Sequence, residues 1–281
     1  MNFLIGLMVL PACAVVAGLV VWESVRRQSL DDGTLLRNFS IVLLLAVALA
    51  WGLLRTDAAR LQLDPVFRFQ TEIAAHPVYA AIQANAPDDA GELHDFLALR
   101  VAAGVSLPDA FLQARNLLTR QAVHRSGWVD AQTRIAWARI NVDTLKELQA
   151  RHPQDCYRAV WGQDLDAAVL ANGFSQGNTA AFQQAVARIY ESAGIGMRGG
   201  HPPAGRRIEF NEAALEYRVV RESLVQRFGE PVVVQLESSS VPSKPAATTG
   251  VICSARIAQL QGMLERPPAM ASRLLDSVLR R

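Results

Sequence analysis

A serine between two glycines is the first feature of this chain that could do chemistry. Residues 173–177 read Gly-Phe-Ser-Gln-Gly and match the pattern G-x-S-x-G. In serine hydrolases the small residues of that pattern allow a sharp turn, which projects the serine hydroxyl toward a histidine and an oxyanion hole. His201 is the only histidine after the pattern. Ser175 with His201 would therefore make a membrane-tethered serine hydrolase, and this is one alternative.

The residues in front of this serine favour a different interpretation. A nucleophile elbow follows a buried strand, whereas residues 157–172 place their apolar side chains at helical spacing. Gly173 is suited to end a helix, and Asn178 is suited to begin the next one. We therefore expect a turn between two helices here, and we assign no catalytic residue.

A glycine-rich segment, residues 194–207, holds four side chains that could bind an anion. They are Arg198, His201, Arg206 and Arg207. Guanidinium forks pair well with phosphate oxygens, so the segment is a candidate site for a phosphate or a lipid head group. The alternative is a solvated loop that its charges keep soluble.

Cys156 and Cys253 are the two cysteines beyond the N-terminal region. An even number in an oxidising compartment predicts one disulfide, and two buried free thiols are the alternative. The chain has no Cys-x-x-Cys, and its five histidines are scattered, so we expect no metal site and no cofactor.

Four large aromatic residues offer packing or contact surface rather than chemistry. They are Trp128, Trp137, Tyr157 and Trp161. Aromatic side chains dominate the energetics of both cores and interfaces. We expect these four to belong to the core, with a contact surface as the alternative.

Runs of helical spacing separated by short turns must position all of these residues. From Asp88 onward the chain repeats a helix of about 12–20 residues and a turn, which predicts an all-α soluble domain over residues 88–281. Residues 232–236 form the one strand-like run, and residues 237–250 are rich in Ser, Pro and Thr, which is typical of a flexible loop. Residues 55–87 would connect this domain to the N-terminal region.

Two apolar runs in the first 54 residues predict a transmembrane hairpin. Residues 2–22 and 39–54 carry almost no strongly polar side chains, and the first run is long enough to cross about 30 Å of hydrocarbon as a helix. Backbone groups in lipid must pair within their own segment, so both runs should be helices. The second run is slightly short, and the arginines at its ends would snorkel.

The arginines around the hairpin predict its orientation. Arg26, Arg27 and Arg37 lie in the connecting loop, and none precedes the first run. The positive-inside rule then places the loop in the cytoplasm and the C-terminal domain outside. Arginines that follow the second run argue for the opposite orientation. We expect a multi-pass protein of a bacterial inner membrane with a periplasmic domain.

Composition narrows the class of partner. The formal net charge is +2, so no strong field points to nucleic acid. Apart from the G-x-S-x-G segment no catalytic set is readable, and the acidic residues show no pair suited to glycoside hydrolysis. The sequence thus predicts a non-enzymatic protein that presents a helical domain to a protein partner. An immunity protein or a component of envelope or secretion machinery would fit, and a cytoplasm-facing membrane scaffold is a second alternative.

Overall fold

The fold is helical throughout the part of the chain that can be described. A computed structural model describes residues 64–200, 210–238 and 245–279, together with Leu44 and Leu61. Helices make up 85% of it, and these ranges contain no strand. The predicted all-α class is therefore confirmed.

The chain divides into two units, residues 1–73 and residues 74–281. The predicted hairpin, residues 1–54, lies outside the described residues apart from Leu44. Within the described ranges no helix combines the length and the apolar character that a membrane span requires. The larger unit, residues 74–281, carries the site considered below.

The helices are named α1 to α13 in chain order. Their bounds are α1 Pro65–Ala75, α2 Pro77–Asn85, α3 Pro87–Ala102, α4 Leu107–Gln113, α5 Arg115–Arg125, α6 Ala131–Arg151, α7 Pro153–Val160, α8 Ala167–Asn172, α9 Gln176–Arg198, α10 Phe210–Phe228, α11 Glu230–Glu237, α12 Thr249–Leu264 and α13 Pro268–Leu279. A short 3₁₀ turn, Ser126–Trp128, joins α5 to α6.

Side-chain caps explain where several of these helices begin. Ser106 Oγ accepts a hydrogen bond from Asp109 N at 3.3 Å, as its capping-box spacing predicts. Asp130 Oδ1 accepts from Thr133 N at 2.8 Å and starts α6. Thr248 does the same for α12. Each cap satisfies a backbone donor that the first helical turn would otherwise leave unpaired.

The prediction of a strand at residues 232–236 is wrong, because the segment belongs to α11. Gly229, at φ +88°, turns the chain, and Pro231 lies in the first helical turn. Val232 and Leu236 are buried four residues apart, where they pack against Ile252 of α12. Packing of this helical face outweighs the preference of three consecutive valines for a strand.

Three predicted helix boundaries differ from the structure. The capping box at Ser106 and the apolar spacing that follows it predict one helix, but this helix is interrupted at Ala114 and forms α4 and α5. The helix expected from Asp155 to Gly173 is two, α7 and α8, separated by a turn in which Gly162 has φ +65°. Helix α9 begins at Gln176 and continues past Gly194, so the first part of the predicted loop 194–207 is helical.

The core surrounds α6, which packs against α7, α9, α12 and α13. Trp137 of α6 is 2% exposed and tilts against the ring of Phe182 in α9, so its expected place in the core is confirmed. Trp128 is 37% exposed, so the same expectation is wrong for that residue. The main cluster of buried side chains on α6 and its neighbours includes Ile135, Val142, Leu148, Val220, Leu260, Met263 and Leu275. Helix α9 packs against both α5 and α6, and these contacts position the three helices on which the site depends.

One glycine permits the close approach of α2 and α9. A Cβ added to Gly194 would overlap Asn85 Oδ1 and would lie 2.9 Å from Asn85 Cβ. That amide oxygen also accepts a hydrogen bond from Arg198 Nη1 at 3.1 Å, so Asn85 cannot move away without losing this contact. We expect Gly194→Ala to lower the free energy of unfolding by about 2 kcal/mol through overpacking, measured by denaturant titration of the purified protein.

Gly91 supplies the matched control for this substitution. It lies inside α3, and a Cβ there would meet nothing within 4 Å. Gly91→Ala should therefore raise stability by about 0.5–1 kcal/mol, as expected for a glycine in a helix interior. Equal effects from the two substitutions would contradict the close approach at Asn85.

A candidate ligand-binding cavity

Arg115 is the centre of the most unusual polar site in the described residues. It is the first residue of α5, and its side chain is only 5% exposed. The interruption at Ala114, itself fully buried, separates α4 from α5 at this point. A fully buried arginine is uncommon unless a partner balances its charge.

All the contacts seen around the Arg115 guanidinium are with uncharged groups. Nη2 donates to Thr144 Oγ1 of α6 and to Asn178 Oδ1 of α9, both at 2.8 Å. The rings of Phe174 and Phe182 lie 3.8 and 4.1 Å from Cζ. Aromatic faces attract a cation through their quadrupoles, but they do not neutralise its charge.

The positive charge of Arg115 is therefore poorly compensated. No carboxylate of the described residues hydrogen-bonds to it, and its Nε and Nη1 atoms have no hydrogen-bond partner within those ranges. Burial lowers the pKa of Arg115 to about 9, and the negative charge of Glu147 opposes that shift. The group is still charged at neutral pH, in surroundings where an unpaired charge is costly.

A cavity of about 160 Å³ opens beside this guanidinium. Side chains of α5, α6, α7, α9, α12 and α13 line it, together with the turn after α7. Its walls are mainly apolar and include Leu145, Val160, Phe182 and Leu260. The indole Nε1 of Trp137, which also lines the cavity, is buried and has no hydrogen-bond partner.

Charged side chains around the cavity are mostly cationic. Arg115, Arg120 and Arg256 line it, against a single carboxylate, Asp164. Asp164 pairs with Arg120 at the exposed edge, and Arg256 Nη1 donates to Gln259 Oε1 at 2.8 Å. The local field thus favours a negatively charged guest.

Ser175, the predicted candidate nucleophile, is the N-cap of α9. Its hydroxyl donates to Glu147 Oε1 at 2.7 Å and accepts from Asn178 N at 3.1 Å, while its own N–H donates to Glu147 Oε2 at 3.0 Å. Helix α8, rather than a strand, precedes it. These contacts give Ser175 the role of starting α9, and His201 lies outside the described residues.

Of the four predicted anion-binding residues, Arg198 is the one that the structure describes. It is the last residue of α9 and donates from Nη1 to Asn85 Oδ1. His201, Arg206 and Arg207 lie outside the described residues. Anion binding by these four residues stays a prediction.

The two predicted disulfide partners lie together in the core. Cys156 of α7 and Cys253 of α12 are both fully buried, with their Cα atoms 6.0 Å apart and their sulfur atoms within bonding distance. This separation is usual for a disulfide. Among the described residues no group of three or more His, Cys, Asp or Glu side chains could hold a metal ion.

Sequence reasoning missed Arg115, although one signal was present. The inner stripe of the predicted helix runs through Phe111, Leu118 and Ala122, and Arg115 falls on the same stripe at helical spacing. A charge among apolar residues is more informative than one on an outer face. Its partners Thr144 and Asn178 lie 29 and 63 residues away along the chain, and no local pattern connects them.

Comparison of the chain with protein-family models, with curated proteins and with solved structures gives no match. Function is therefore inferred from the residues and contacts described above. Helical architecture alone fits many functions.

Proposed function

We propose that this protein is a non-enzymatic protein of a bacterial inner membrane that presents its helical unit, residues 74–281, to a protein partner on the periplasmic side. The observation that carries the proposal is the pairing of Cys156 with Cys253 in the core. Disulfides persist in oxidising compartments such as the periplasm and are rare in the cytosol. This pairing supports the orientation expected from the arginines of the N-terminal region.

The apolar runs at residues 2–22 and 39–54 supply the membrane anchor in this proposal. Their length and lack of charge support two helices that cross the bilayer and return. A domain connected to such a hairpin is held close to the membrane surface. A partner in the envelope would then meet it at a high effective concentration.

An exposed apolar pair on α10 supports a protein as the partner. Leu215 and Val219 are 58% and 50% exposed and lie one helical turn apart. Val220 and Leu224, on the opposite side of the same helix, are buried in the core. Apolar side chains flanked by charges such as Arg218 are typical of the centre and rim of a protein interface.

Charge substitution of this pair tests the proposal. We expect the double variant Leu215→Asp/Val219→Asp to capture at least about tenfold less of a stoichiometric partner in pull-downs from solubilised membranes, because a buried unpaired carboxylate is costly. Both side chains point to solvent, so the melting temperature should change little. Gln226→Asp changes a residue exposed on the same helix and is the matched control. It should capture as much of the partner as the wild type does. No stoichiometric partner, or equal capture by all three proteins, would contradict the proposal.

A further inference from the structure

We propose that the cavity beside Arg115 is a binding site for a small organic carboxylate with an apolar body, of the size of benzoate or hexanoate. The inference is independent of the proposed protein partner. It depends on the charge of the cavity, on its unused hydrogen-bond donors, and on its size and apolar walls.

Charge favours an anionic ligand. Arg115 is buried without a hydrogen-bonded carboxylate, and the cavity lining carries three arginines against one aspartate. An anion that pairs with a buried cation at short distance offsets much of the cost of burying its charge. A bound carboxylate would supply the partner that the described residues do not.

Unused donors favour a ligand that only accepts hydrogen bonds. Arg115 Nε and Nη1 and Trp137 Nε1 have no acceptor among the described residues. Both side chains flank the same ring, because Phe182 lies 4.1 Å from the Arg115 Cζ and 5.7 Å from the Trp137 ring. An ionised carboxylate accepts hydrogen bonds at two oxygens and donates none, so it complements this pair of donors.

Size and wall chemistry favour a small apolar body. The cavity volume of about 160 Å³ is close to that of an engineered apolar cavity of about 150 Å³ that takes up benzene. Leu145, Val160 and Leu260 offer walls that an inorganic anion could not use. A benzoate ring or a short alkyl chain fits this volume.

The first arm of the test measures binding to the full chain. Calorimetric titration of the protein in a non-ionic detergent with sodium benzoate should give saturable binding with a Kd of about 0.1–1 mM, as expected for a ligand of nine heavy atoms. Tryptophan fluorescence should change in parallel, because Trp137 lines the cavity. Benzamide, which lacks the charge, and inorganic phosphate, which lacks the apolar body, should each bind at least about tenfold more weakly. Absence of saturable benzoate binding up to about 10 mM, or equal binding of benzamide, would overturn the proposal.

The second arm tests the residues. Arg115→Met keeps most of the side-chain volume and removes the charge, so it should weaken benzoate binding by at least about tenfold. Arg188→Met is the matched control, since Arg188 is exposed on α9 and does not line the cavity; it should stay within about twofold of the wild type. Ala159→Leu, which narrows the cavity without changing the arginines, should also abolish benzoate binding. This variant tests the site independently if Arg115→Met does not fold. Wild-type affinity in either Arg115→Met or Ala159→Leu would overturn the assignment.

Discussion

Reduction of the Cys156–Cys253 disulfide should lower the free energy of unfolding by about 4 kcal/mol. The bond joins residues 97 positions apart, and closing a loop of that length removes much of the conformational entropy of the unfolded chain. It ties α7 to α12, two helices that both pack against α6. Few single substitutions elsewhere in the chain should lower the free energy of unfolding by as much.

Denaturant unfolding with and without a reductant measures this effect. The double variant Cys156→Ala/Cys253→Ala should lose a similar amount of stability. Addition of the reductant should not lower its stability further. Cys13→Ala, which removes the third cysteine, is the control and should behave like the wild type. A reductant effect below about 1 kcal/mol would mean that the two sulfurs are not bonded in the protein.

Asp89→Ala should cost about 3 kcal/mol of stability, because Asp89 joins three helices. Its carboxylate accepts hydrogen bonds from Arg125 Nε and Nη2 at 3.0 and 2.9 Å and from the Tyr190 hydroxyl at 2.7 Å. The side chains of Asp89 and Arg125 are each only 17% exposed. Removal of one partner of a buried pair leaves the other charge uncompensated, which is the costly case. Asp95→Ala on the same helix, where the side chain is 88% exposed, should cost almost nothing.

The same carboxylate predicts a loss of stability in acid. Burial alone would raise the pKa of Asp89, but hydrogen bonds from Arg125 and Tyr190 outweigh it and hold the pKa below the ordinary value of 3.8. The contribution of Asp89 is therefore complete above that value and is lost as the pH falls through the folded-state pKa. Chemical denaturation across this range should show a steeper loss in the wild type than in Asp89→Asn. Identical slopes would contradict the ion pair.

Local signals explain what the sequence predicts well. The caps at Ser106 and Asp130 depend on residues within one turn of the helix end. The pairing of Cys156 with Cys253 was accessible because these are the two cysteines outside the N-terminal region. The helical class followed from many such segments taken together.

Features that depend on tertiary packing were not accessible in the same way. The valines of α11 read as a strand until packing against α12 is known, and Gly194 reads as a helix end until its approach to Asn85 is seen. The environment of Arg115 joins α5, α6 and α9 through Thr144 and Asn178. Long-range contacts of this kind leave no fixed spacing in the sequence.

The most direct test of the central claim, a helical unit on the oxidising side of the membrane, is the state of its cysteines in the cell. Intact cells that produce the full chain are quenched in acid, denatured without a reductant, treated with an alkylating agent and analysed by mass spectrometry. The account predicts that Cys156 and Cys253 remain unalkylated and are recovered as one cross-linked peptide pair, which becomes alkylated only after reduction. Alkylation of both residues without a reductant would contradict the periplasmic orientation and the disulfide together.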